Sequence, residues 1–413
     1  MKRITTTAFT IVIYLTSSMQ VALSESPSSV NGVKSPDIET NFLNLSRVDF
    51  KVSNSPIVVA TEDRDVYVSE RASNVIKLYR YSNENILEFK NQYVLGGEEA
   101  KFFILDLYSS SGSLFVSYVK YFENSEKCDF VFVSKIDSSN STFGNSKQIF
   151  KSTPCLHWVY TPNWTNAAGR MASDGKFLYL TGGLVFTNLY SNKYPEGSMV
   201  GLPNKFTDAI RSTNLFGGIA KIDLKSGKTN KIVSGLRMPQ GLWWSTKKKI
   251  LFETEQGPRG GDELNVILNG KNYGWPYVSL GRVYDNSEIQ ANDNEFKPIY
   301  GSHSGFEPPI FSWTPSIAVS HIIEIPDQSV FSDWWRNSLI AGSLKDSSLH
   351  RLALSDTNKV IYDERIFIGM RIRDLDIEKD RIVLSTDEGN LIFLSRALNV
   401  PEKPFPKVGS TKN

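Results

Sequence analysis

The sequence predicts an all-β fold, a six-bladed β-propeller, on three observations. Short apolar strands rich in Val, Ile, Leu, Phe and Tyr recur along the chain, Gly/Asn/Asp/Ser turns separate them, and each is followed by a second strand of the same kind. A small sheet of this sort cannot bury both faces alone, whereas neighbours arranged around an axis cover one another and leave few exposed edges. Two sheets packed as a sandwich would not call for six like pairs.

In chain order the pairs begin with "DVYVSE" at Asp65 and "VIKLYRY", then "SLFVSY" at Ser113 and "FVFVSKID", then "FLYLTG" at Phe177 and "GIAKIDL". They continue with "KILFET" at Lys249 and "ELNVIL", "SLIAGS" at Ser338 and "LHRLAL", and "RIVLST" at Arg381 and "NLIFLS". The segment from Val48 to Val59 is a natural partner for the last unit, closing the ring. Spacing widens between the Lys249 and Ser338 strands, so inserted loops are expected there, where sites usually sit. The propeller is expected over residues 48–400, with a C-terminal tail at 401–413.

Ahead of it, residues 25–47 open on a Ser/Pro/Asn-rich stretch without periodicity, which reads as a flexible leader. Residues 1–24 read as a signal peptide. Met1-Lys2-Arg3 precedes an apolar and threonine-rich run from Ile4 to Leu15, and Ala22 and Ser24 are small residues at the spacing a signal peptidase accepts. The alternative, an uncleaved anchor, falls short of the roughly 20 apolar residues a span needs. The expectation is a secreted or periplasmic protein with no stable membrane insertion after cleavage. In an oxidising compartment Cys128 and Cys155 could close a disulfide; two unpaired thiols are the alternative. A net charge of +2 over 413 residues argues against a nucleic-acid partner. The sequons at Asn44, Asn140 and Asn163 match by only three residues and do not decide the source.

The densest chemistry lies in "FETEQGPRGGDELNVILNGKNYGWP", from Phe252 to Pro276. Gly257, Gly260 and Gly261 permit turns that aim carbonyl oxygens inward, and Pro258 removes a competing donor. Such a turn can offer hard oxygen ligands to calcium, with Asp262 and Glu263 just beyond it. By itself, a Gly/Pro-rich turn with two acids is more often a solvated hairpin.

Taken together, "GLRMPQGL" at Gly235, "TEQGPRGGDELNVI" at Thr254, "GKNYGWP" at Gly270, "WTPSIAVS" at Trp313, "AGSLKDSSLHRL" at Ala341 and "ERIFIGMRIRDL" at Glu364 resemble, in order, the soluble aldose and glucose dehydrogenases that use pyrroloquinoline quinone (PQQ), the glucose/sorbosone dehydrogenase family. The resemblance implies a six-bladed propeller that oxidises a sugar or other small hydroxylated substrate and passes electrons to an external acceptor. It implies that the carbonyls of Gly257 and Pro258 bind Ca2+, with Gln256 as a cofactor or metal neighbour. Lys345, Arg371 and Arg373 match the cations around the quinone, as a tricarboxylate requires. Arg237 and Gln240 match as well. Asp262 matches a residue that assists the catalytic base, and Trp313 falls where an aromatic wall for the flat quinone is supplied.

The chain departs from the pattern at the base itself. In "TNAAGRMASDG", Arg170 is retained but Asn166 stands where the family's histidine is expected, and asparagine cannot accept the hydroxyl proton. Met238 replaces an asparagine, and Glu98 is also atypical. Asp262 alone, or one of His157, His303 and His321, could substitute, with His303 foremost because "SHSGFEPP" leads into the Trp313 motif. Loss of the base motivates a second reading, a propeller that binds a glycan or protein without catalysis. A calcium-dependent lactonase is a third, for which the several carboxylate and asparagine ligands cannot be assembled.

Overall fold

Six antiparallel sheets follow one another along the chain, each beginning with a strand at the central axis. The computed structural model describes residues 28–82, 85–97, 102–120, 128–153, 156–157, 167–183, 213–275, 277–282 and 299–397. The innermost strands are Ile57–Glu62, Phe102–Ser110, Ala168–Ser173, Pro239–Ser245, Val319–Glu324 and Ile372–Ile377. Each packs on the next and the last packs on the first, so the predicted propeller closes into a ring.

The sixth blade shows how closure is made. Ile372–Ile377, Ile382–Thr386 and Asn390–Arg396 come from the end of the chain, and Asn44–Lys51 from its beginning pairs antiparallel with Asn390–Arg396. Of the segment expected to close the ring, the part up to Lys51 does so, whereas Ile57 onward forms the axial strand of the first blade. The leader is a correction. Val33–Glu39 forms the outer edge of the sixth blade, and Ser29–Asn31 the outer edge of the first. Pro36 sits in the register shift between Ser35 and Ile38, a bulge on an edge strand where a missing N–H is tolerated. The signal-peptide region and Cys155 lie outside the described residues, and no helix among the described residues is long and apolar enough to cross a membrane.

The apolar runs are continuous rather than alternating because both sheet faces are covered. In "DVYVSE", Val66 and Val68 join a cluster with Phe50, Val383 and Phe393 of the sixth blade. Tyr67, pointing the other way, joins Ile104, Leu114 and Val116 of the second. Each aliphatic side chain buried in this way contributes about 1.5–3 kcal/mol, so the facing blades hold one another in place. The wide spacing has a simple cause: the fourth blade's outer strand, Phe311–Trp313, returns to Asp262–Ile267 only after an excursion from Leu268 to Ile310.

One irregularity recurs. Among the described residues the register slips near the start of the inner strand in five blades, between Ile104 and Asp106, Ala168 and Met171, Pro239 and Gly241, Val319 and Ile322, and Ile372 and Asp374. A β-bulge frees a residue from the ladder and re-aims its side chain. The residues inside these slips include Arg170, Gln240, His321 and Arg373, all at the same end of the ring.

Candidate active site

The turn after Ile250–Glu255 is held by one buried carboxylate. Asp262 accepts hydrogen bonds from the Gly257 N–H (3.2 Å), the Ser316 hydroxyl (2.7 Å), the Ile317 N–H (3.1 Å) and the Val319 N–H (3.0 Å). Its side chain is fully buried. With both oxygens filled by these four donors, Asp262 ties the Gly257 turn to the fifth blade. The turn also needs its glycine, since a Cβ at Gly257 would lie 2.2 Å from the Gly261 carbonyl oxygen.

Arg237 reaches over this turn, donating from Nη1 to the carbonyls of Gln256 (2.8 Å) and Gly257 (3.1 Å) with its guanidinium 5.3 Å above the Trp275 ring. Gln256 donates from Nε2 to the Val319 carbonyl (2.9 Å), and Pro258 is buried beside it. Gln240, in its bulge, is 5% exposed and its Nε2 has no hydrogen-bond partner. A buried donor left open in this way is one that a bound group would complete.

Across the fifth blade the Ile317 carbonyl accepts the Lys345 N–H (3.0 Å), and Arg371 donates from Nη1 to the Leu344 carbonyl (3.0 Å). Lys345 is exposed, and its ammonium makes no ion pair among the described residues. Arg371 and Arg373 clasp Asp387 through Arg371 Nε (2.9 Å) and Arg373 Nε and Nη2 (2.7 and 2.9 Å). Burial opposes ionisation of Asp387, but the two guanidiniums outweigh it and hold its carboxyl below the usual range. Thus the Gly257 turn, the Lys345 backbone and the guanidiniums of Arg371 and Arg373 are joined by a short run of hydrogen bonds.

That run continues to the axis. Arg170 Nη2 donates to the Arg373 carbonyl (2.9 Å), while Nη1 contacts Asp106 and Asp374, both at 2.8 Å. The carboxylates in turn accept the N–H groups of Met171 (2.8 Å) and Val59 (3.1 Å). Three blades therefore meet at one buried guanidinium, and the first joins them through Asp374. His321 lies beside it, its Nδ1 unpartnered and 3.9 Å from Asp374; burial and the Arg170 charge hold its pKa well below the usual value. Arg71, whose carbonyl accepts the Ile104 N–H at the start of the second inner strand, is 7% exposed with its guanidinium 4.5 Å above Phe103. Sequence reasoning missed Arg71, Asp106, Asp374 and Asp387, although charged residues inside the apolar runs "ILDL" and "RDLDI" are a usable signal of buried chemistry.

A second buried cluster flanks the turn. Glu255 accepts the N–H groups of Arg237 (2.5 Å) and Met238 (3.3 Å), and burial together with the facing Glu263 raises its pKa. His303 bonds through Nε2 to Glu263 (3.0 Å); its Nδ1 is buried and unpartnered. Trp313 differs from expectation. It is 5% exposed and packs with Phe252, Leu264, Ile317 and Leu339, so it belongs to the core rather than to an open aromatic wall. It and His350 meet edge to face, 5.9 Å between ring centroids. Asn166, Glu98 and the side chain of His157 lie outside the described residues.

The glucose/sorbosone dehydrogenase family model matches residues 59–393. The chain belongs to that family. It is 36% identical over 177 residues to aldose sugar dehydrogenase YliI of Escherichia coli strain K12, covering 41% of this chain and 45% of the relative. It is 27% identical over 232 residues to quinoprotein glucose dehydrogenase B of Acinetobacter calcoaceticus, covering 44% and 46%. The chain thus spans under half the length of these curated relatives. The apo-form of the soluble aldose sugar dehydrogenase from Escherichia coli superposes with a TM-score of 0.61 at 21% identity over 85% of this chain and 99% of that one. The PQQ-bound form of the aldose sugar dehydrogenase from Streptomyces coelicolor gives 0.51 at 18%, over 90% and 100%. At these identities the structural likeness establishes the propeller fold.

Proposed function

We propose that the protein is an exported, PQQ- and calcium-dependent aldose dehydrogenase. What supports this reading is that the Gly257 turn, the Lys345 backbone and the Arg371 and Arg373 guanidiniums lie along one run of hydrogen bonds, with the open Gln240 amide in an inner-strand bulge at the same end of the ring. These residues fit a flat polycarboxylate, since fixed cations offset its charge and Arg373, whose Nε and Nη2 are held by Asp387, keeps Nη1 to donate. For calcium the fit rests on main-chain oxygens, because no group of three or more His, Cys, Asp or Glu suited to a metal occurs among the described residues. A divalent ion at Gly257 would have to take the place of the Arg237 contact.

When bound, PQQ would supply the two-electron acceptor, which an external acceptor then reoxidises. The chain's own residues must orient the sugar and take up its hydroxyl proton. His303 suits the second role, with one ring nitrogen anchored by Glu263 and the other free to accept a proton. Anchoring fixes the tautomer, as in other histidine–carboxylate pairs.

The test is reconstitution of the purified full chain with PQQ and calcium, followed by dye reduction against a broad aldose panel. Sugar-dependent turnover is expected. Asn166→His should raise it and His303→Gln should lower it about 100-fold. No turnover with any sugar, together with glycan binding free of redox change, would instead establish the non-catalytic reading that Asn166 and Met238 motivate.

A further inference from the structure

We propose that Arg351, Trp335 and Ser338 hold one small inorganic anion, a halide, inside the fifth blade and away from the mouth. Arg351, on the strand Ser348–Leu354, stands opposite Glu364 on the outer strand Val360–Phe367. It donates from Nε to Glu364 (2.7 Å) and from Nη1 to the Ser338 hydroxyl (3.3 Å). Its guanidinium lies 4.8, 5.3 and 5.9 Å from the ring centroids of Phe42, Tyr362 and Trp335.

This cluster has donors to spare and lacks acceptors. Arg351 is 3% exposed and Trp335 and Ser338 are fully buried, yet Arg351 Nη2 and Trp335 Nε1 have no hydrogen-bond partner among the described residues. Ser338, which accepts from Nη1, keeps its own hydroxyl proton to donate. Glu364 is turned to other groups, taking Arg351 Nε on one oxygen and the Asn41 N–H (2.5 Å) on the other. Leaving buried N–H groups open is costly, so an acceptor placed beside them stabilises the fold. A water can accept from two of the donors but must then place two protons of its own, and Trp335 packs among Leu43, Phe331, Ile340 and Ile366, which offer side chains without acceptors. A halide only accepts, and the guanidinium offsets its charge.

The position gives such an ion a structural consequence. Asn41 and Phe42 belong to the turn between Val33–Glu39 and Asn44–Lys51 of the sixth blade, and Asn41 Nδ2 donates to the Tyr362 hydroxyl (2.7 Å). An anion that fixes the Arg351 guanidinium therefore fastens the beginning of the chain to the fifth blade through the Phe42 and Asn41 contacts. The inference is independent of any cofactor or sugar at the mouth.

Thermal unfolding of the full-length chain should be followed as sodium chloride replaces sodium methanesulfonate at constant ionic strength, for wild type, Trp335→Phe and Ser338→Ala. Wild type should show a saturable rise in midpoint of about 1–3 °C, and bromide should reproduce it. Trp335→Phe keeps an aromatic ring but removes the N–H, so it should lose the rise, and Ser338→Ala should reduce it. Crystals of the wild-type chain grown in bromide should show anomalous density beside Arg351 Nη2 and Trp335 Nε1, a readout that requires no variant to fold. A midpoint that rises equally in wild type and Trp335→Phe assigns the salt effect to other cations and overturns the site. Bromide-grown crystals with only water at these donors overturn it as well.

Discussion

His350 anchors the turn that carries Lys345. Its ring bonds through Nδ1 to Asp363 and through Nε2 to Asp346, both at 3.0 Å, and Asp346 is also held by the Ser343 hydroxyl and Arg365. Burial works against the charged ring, but the two carboxylates prevail and push its pKa up to about 9 from 6.5. Because the folded-state value is raised, the stabilisation is fully present below about pH 6.5 and is lost as pH rises through about 9. Thermal midpoints should therefore fall between neutral and alkaline pH in wild type, and His350→Gln should flatten that part of the profile. An unchanged profile would mean that the His350 pairs contribute nothing to folding. The motif around Lys345 is readable as a cation site, but this support is not, because its partners come from the neighbouring strand Val360–Phe367 as well as from the turn.

Strands are legible where six-fold repetition and β-branched and aromatic content coincide, as in "SLIAGS" and "DVYVSE", which lie within single blade strands. Two kinds of element are not. Val33–Glu39 reads as irregular because its pairing partner, Asn44–Lys51, belongs to a blade completed some 340 residues later, a contact invisible to local composition. The bulges leave no local mark either, although they decide which residue leaves the ladder and turns inward. The Gly257 turn is the opposite case, since its glycines announce a close backbone approach. Gly257→Ala would force a Cβ to within 2.2 Å of the Gly261 carbonyl oxygen, so it should cost about 1–3 kcal/mol and weaken calcium binding. Chemical denaturation and calcium titration check both, and an unaltered protein would remove the turn from the site.

At the scale of the whole ring, blades contributed by distant parts of the chain bring charged side chains to one end. Arg170 of the third blade, Asp106 of the second and Asp374 of the sixth interlock at the axis, and Arg170 fixes the backbone of Arg373. Breaking one arm of such a buried charge set costs about 3–5 kcal/mol, so fold stability and site geometry share this network. The family resemblance singled out Lys345, Arg371, Arg373 and the Gly257 turn from sequence, while the axial carboxylates emerged only once the ring was closed. The most direct test of this convergence is the absorbance of PQQ titrated into the full chain with calcium. Saturable binding by wild type that Arg373→Ala abolishes is the expected result. Equal binding by the Arg373→Ala protein, or none by wild type, would contradict the account.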